Sequence, residues 1–171
     1  MNHTVREILD DVLKREGWPE YTEHPLDRGG PTKGGITLQT LEDFLGKPCT
    51  RRELMDLERD TAINILIRRY VRQNGIQLLV REPIAPQLVD NAVLSGPRLA
   101  VKDLQRVLGV PADGIIGPHT VAAYTPTARV TNQLAITRAL RLARHVQKHP
   151  DQLVFLGGWL ARCLRFIDKE D

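Results

Sequence analysis

REGWPEYTEHPLDRGGPTKGGIT, Arg15 to Thr37, interrupts a chain that otherwise reads as helical. Upstream, Thr4-Val5-Arg6-Glu7 is a capping box, in which the Thr hydroxyl and the Glu carboxylate satisfy each other's free backbone donors. Val5, Ile8, Leu9, Val12 and Leu13 then recur at helical spacing, which predicts a first helix with one apolar stripe. Gly17 and Pro19 end it. One more step along the stripe falls on Glu16, a carboxylate where the pattern asks for an apolar side chain. Beyond it runs a Pro- and Gly-rich loop carrying Glu20, Glu23, His24, Asp27 and Thr32, which delivers Thr37 to the next helix. A loop this long in a small domain is either disordered or functional, and it reads as a functional loop built on Glu16.

Working outward, Thr37 caps a short helix with Leu38, Leu41, Phe44 and Leu45 inward and Gly46-Lys47-Pro48 as its stop. Thr50-Arg51-Arg52-Glu53 is a second capping box. A longer helix bearing Ala62, Ile63, Leu66 and Tyr70 is expected to run to Asn74-Gly75. Ile76 to Val80 fits strand or helix equally. Pro83 and Pro86 mark the expected boundary between two lobes, residues 1–85 and 86–171.

The second half predicts a helix near Gln87 to Leu94, a break at Ser95-Gly96, and a helix opened by Pro97 and closed by Gly109. VPADGIIGPHT, Val110 to Thr120, is a turn, and helices near Ala128 to Lys148 and Asp151 to Ile167 complete the chain. The expected fold class is mainly α, in two helical lobes.

The 171 residues are 42% hydrophobic and 26% charged, enough for a packed core and ordinary in charge content, so global disorder is excluded. With 5% aromatic residues, a stacking platform for single-stranded nucleic acid is poorly supported. The net charge of +3 suits a polyanionic partner without choosing one. Cys49 and Cys163 have no metal-ligand spacing and are expected to be free. No apolar run is long enough for a membrane span, and the acids Glu7, Asp10 and Asp11 do not suit a secretory signal, so synthesis in the cytoplasm is expected.

An apolar flank and the negative end of a helix dipole both favour the protonated carboxyl, the form in which Glu16 would act as a general acid. The plain alternative is a last-turn Glu reaching solvent past Gly17. Glycoside hydrolysis pairs such an acid with a second carboxylate. Asp27 is the candidate, because Gly29 and Gly30 let the backbone approach a sugar closely. Glu20 and Glu23 read as surface charges, and Thr32 reads as a turn residue or as a group that positions water. Arg138, Arg141, Arg144 and Lys148 lie at helical spacing as a basic stripe, either a solvated face or a contact for an anionic envelope. The five histidines form no zinc pattern, and no P-loop, dinucleotide or G-x-S-x-G motif is present.

Glu16-Gly17 followed by Asp27-Arg28-Gly29-Gly30-Pro31-Thr32-Lys33-Gly34-Gly35-Ile36-Thr37 resembles the signature of glycoside hydrolase family 108, the N-acetylmuramidase-type phage endolysins. That signature runs approximately E-G-G-Y, a short acidic loop, then D-P-G-G-E-T-K-Y-G-I-T. Trp18, Pro31 and Gly34 stand where the family has Gly, Glu and Tyr. Ser95-Gly96, Leu104-Gln105, Leu108-Gly109-Val110, Asp113-Gly114, Gly117-Pro118 and Thr120 resemble its C-terminal peptidoglycan-binding part, and Phe155, Gly158-Trp159 and Arg162 its closing helix.

The resemblance implies a lysozyme-like fold and an endolysin that cuts the β-1,4 bond between N-acetylmuramic acid and N-acetylglucosamine to lyse a host. It implies Glu16 as catalytic acid, and candidate substrate contacts at Trp18, Gly29, Gly30, Lys33, Asp113 and Gly114. The expected working form is a monomer without metal or organic cofactor, with peptidoglycan as partner. It would be made in the host cytoplasm and reach the periplasm or wall through a separate pore-former. Two other classes stay open: a non-catalytic wall-binding or secretion-associated protein of the same fold, and a basic nucleic-acid binder.

Overall fold

The computed structural model describes residues 4–23 and 30–167. Helix α1, Val5–Arg15, starts as its sequence demands: the Thr4 backbone N–H donates to Glu7 at 2.7 Å, and the Glu7 N–H to the Thr4 hydroxyl at 3.3 Å. Its stripe of Ile8, Leu9, Val12 and Leu13 is buried. After Glu16 the chain folds back, with the Trp18 N–H donating to the Leu13 carbonyl at 2.9 Å.

Between α1 and α2 (Leu38–Leu45) the sequence reading expects only loop, but a small antiparallel sheet forms there. Its strands are β1 (Tyr21–Thr22), β2 (Thr32–Lys33) and β3 (Ile36–Thr37), in that order. Lys33 pairs with Ile36, leaving Gly34 and Gly35 as a two-residue turn with φ of +54° and +76°. Positive φ at both turn positions matches the right-handed twist of hairpin strands and is the province of glycine.

Helices α3 (Arg51–Met55) and α4 (Arg59–Tyr70) follow. The expected helix to Asn74-Gly75 stops at Tyr70, and Asn74 and Gly75, which both take positive φ, bend the chain further on. The ambiguous run at Ile76 belongs to a 3₁₀ segment, Gln73–Leu79. Helix α5, Ala85–Ser95, is buried nearly all round, with Gln87, Leu88, Val89, Asp90, Asn91 and Ala92 inside. It packs against α1, α4, α6 (Pro97–Leu108) and α8 (Ala128–Lys148), so one hydrophobic core runs through both halves of the chain. The short helix α7, Pro118–Ala123, follows the turn, and α9, Leu153–Leu164, closes the fold on α8. The architecture is mainly α and lysozyme-like, as expected.

The basic stripe is the largest correction. Arg138 is fully buried and Arg141 half-buried, whereas Arg144 and Lys148 are exposed. Arg138 donates to Asp90 at 2.8 Å, and Arg162 and Arg165 reach the same carboxylate at 2.8 and 3.0 Å. Arg141 bonds Asp103 at 2.8 Å, Asn91 at 3.0 Å and Ser95 at 2.8 Å. A helical period selects a face, but the acids of α5 and α6 turn that face inward. Helix α9 is correspondingly reversed: Arg162 points inward to Asp90, while Leu153, Val154 and Phe155 are exposed. Cys49 and Cys163 are free.

Candidate functional site

Glu16 occupies the C-cap of α1 and lines a cavity of about 190 Å³. The floor is apolar, built from Val12 of α1, Ile36 of β3, Ile65 and Leu66 of α4 and Val93 of α5. Its polar wall is Glu16, Thr40, Arg69 and Tyr70. Among the described residues Glu16 is the only carboxylate lining it, and its side chain has no hydrogen-bond or ion-pair partner there. An exposed acid with no competing partner on an apolar-floored cavity is free to meet a substrate oxygen.

The Gly34-Gly35 turn forms the lid edge of this cavity. A Cβ on Gly34 would stand 2.7 Å from the Trp18 ring, and one on Gly35 3.0 Å from Glu16 Cβ. The turn therefore rests on Trp18 and Glu16 at a distance only glycines allow. Replacing Gly35 with Ala should cost about 1–2 kcal/mol from its left-handed backbone and displace the Glu16 carboxyl. Glycan cleavage should fall on the order of tenfold or more. Wild-type turnover with an unchanged melting temperature would contradict this.

Lys33 anchors the same hairpin. Its ammonium donates to the Leu57 carbonyl at 2.9 Å and to that of Met55, and lies 5.0 Å from the Trp18 ring centre. It ties β2 to α3 and to the segment after it, and it stands behind the hairpin rather than in the cavity wall. The Thr32 hydroxyl is hydrogen-bonded to that of Thr22 across β1 and β2 at 2.9 Å, and is likewise off the wall. Glu23, read as a surface charge, accepts from Tyr21 at 2.8 Å and Arg51 at 2.9 Å; these two partners hold its carboxyl below the usual range. Gly30 is described, ahead of β2, whereas Asp27 and Gly29 lie outside the described residues.

The Asp113-Gly114 turn lies elsewhere, beside a cavity of about 340 Å³ that Asp113 lines with Gln105, Ile115 and His119. Gln105 clasps it, donating to Asp113 at 2.7 Å and accepting from the Gly114 N–H at 2.8 Å. Asp113 also accepts from the Ile115 N–H at 2.9 Å, and these bonds, that of Gln105 foremost, hold its carboxyl below the usual range. Asn74 donates to the Gly114 carbonyl at 2.8 Å, joining this turn to the 3₁₀ segment.

Thr40, Arg69 and Tyr70 are the wall residues that sequence reasoning did not select. Arg69 carried one available signal, a cation adjoining the apolar positions of α4. Thr40 carried none.

A family model described as Glycosyl hydrolase 108 matches residues 9–96, and one described as Predicted Peptidoglycan domain matches residues 99–164. Among solved structures, the chain is similar to that of Brucella abortus SagA, with 29% identity, 97% of each chain covered and a TM-score of 0.64. No curated protein matches the chain.

Proposed function

The chain belongs to the glycosyl hydrolase 108 family and carries a peptidoglycan-binding domain, and on that premise we propose that it is a muramidase. Its bond is the β-1,4 link between N-acetylmuramic acid and N-acetylglucosamine. The observation that supports this reading is the unpartnered Glu16 carboxyl on its cavity.

In the proposed reaction Glu16 gives its proton to the glycosidic oxygen as the C–O bond breaks, the bonding pair staying on that oxygen. The positive charge developing on the sugar is met by a second carboxylate, for which Asp27 is the candidate, and water completes the cleavage. Thr32 is a candidate for placing that water, and Trp18, Gly29, Gly30 and Lys33 for shaping the sugar site. Residues 1–85 do the chemistry in this reading, while residues 86–171 hold the wall through the region of Asp113 and Gly114. The chain acts as a monomer, as a phage endolysin made in the host cytoplasm and admitted to the wall by a separate pore-former. The nucleic-acid alternative loses its main support, because Arg138 and Arg141 are engaged by Asp90 and Asp103 inside the protein.

Mass analysis of digested peptidoglycan tests the reaction. New reducing ends on N-acetylmuramic acid are expected. Reducing N-acetylglucosamine, or liberated peptides, would overturn the assignment.

A further inference from the structure

Three cavities follow one another from Glu16 into the second half of the chain. The Glu16 cavity shares Thr40, Ile65 and Arg69 with a neighbour of about 370 Å³. That neighbour shares Gln73 with a third, of about 480 Å³, opening between the 3₁₀ segment and the start of α6. Together they make a trough lined by more cations than carboxylates. Arg68 and Arg69 line the middle cavity, and Arg98 and Lys102 the last.

None of these four cations forms a salt bridge with a described residue, although Arg98 is near enough to Asp113 to help hold its carboxyl down. Arg68 spends one N–H on the Phe44 carbonyl at 3.0 Å and lies 5.8 Å from the Phe44 ring centre, which fixes its guanidinium in the trough. The one carboxylate lining these two cavities, Asp43, is held by Gln39 at 3.0 Å. A neutral sugar polymer needs no such row of cations. Peptidoglycan differs from bare glycan in carrying peptide stems with free carboxylates at regular intervals, and a row of cations without salt bridges leading away from the acid matches that charge.

We propose that this trough holds the stem peptides of the uncut strand, Arg68 and Arg69 meeting the carboxylates nearest the scissile bond and Arg98 and Lys102 those further along. The preferred substrate is then stem-bearing glycan. This rests on the glycosidase reading above.

The test compares kcat/KM on intact peptidoglycan with that on the same strands stripped of their stems by an amidase, the lactyl carboxylates so freed being capped as amides. In an Arg68→Ala/Lys102→Ala double variant the intact-to-stripped ratio should fall about tenfold, two partly exposed charge pairs being lost. An Arg68→Gln/Lys102→Gln variant, which keeps polar packing, should give the same fall and guards against loss of folding. A ratio that stays at the wild-type value, or a wild type that cleaves both polymers alike, overturns the stem assignment alone. A wild type that cleaves neither overturns the glycosidase reading beneath it.

Discussion

Glu16→Gln should lower the rate of glycan cleavage by roughly 10²–10⁴-fold, the range that loss of a positioned general acid produces, while leaving the fold intact. Both halves of that expectation come from geometry. The side chain is exposed and has no partner among the described residues, so no native hydrogen bond is broken by the amide. Gln is nearly the same size, so the contact with the Gly34-Gly35 turn is kept. Only the transferable proton disappears. Release of reducing ends and the thermal midpoint, measured on the same preparation, check it. Loss of activity together with a lowered midpoint would make Glu16 a support for the hairpin rather than the acid, and full activity would remove it from the chemistry.

Asp90→Asn should destabilise the protein by about 3–5 kcal/mol, the usual result of removing one partner from a buried ion pair. The effect is large because one carboxylate serves three guanidiniums, and Arg138 has none of its surface exposed. Set against the roughly 5–15 kcal/mol that holds a typical domain together, such a loss brings the variant close to unfolding. Urea titration measures it directly; a loss under about 1 kcal/mol would show that the cluster contributes little net stability.

The same carboxylate sets a pH dependence. Burial alone pushes the Asp90 carboxyl up, but Arg138 and Arg162 outweigh it and hold it below the usual range. A carboxyl lowered on folding lends its stability in full above its unfolded value, about 3.9, and loses it as the pH falls through the lower folded value. Stability of the wild type should therefore drop steeply on acidification below about pH 4, and that of Asp90→Asn less so. Parallel acid profiles for the two would refute this.

How much of this was legible in the sequence depended on how local the cause was. Helix α1 and both capping boxes were readable because Thr4 with Glu7, and Thr50 with Glu53, act across three residues. Glu16 stood out as a misfit on a stripe whose Ile8, Leu9, Val12 and Leu13 are buried. The sheet was missed because its strands are two residues long, below what alternation can reveal, although the paired glycines of TKGGIT are themselves a hairpin signal. The arginines were misread for the opposite reason. Arg138 and Arg141 bond Asp90 and Asp103 across 48 and 38 residues, and no spacing along α8 carries that information. The cavity wall mixes the two cases, since the hairpin is local while Arg69 and Val93 reach the wall only through packing of α4 and α5.

Asp90 belongs to the stretch matched by the first family model, and Arg138 and Arg162 to the stretch matched by the second. The two stretches meet through a charge that neither neutralises alone. They are therefore not interchangeable cassettes: a recombinant that joins either one to a foreign partner inherits half of a buried salt cluster. Successful shuffling of such chains requires the acid and its arginines to travel together, so the seam visible in the sequence is not the seam along which the molecule can be cut.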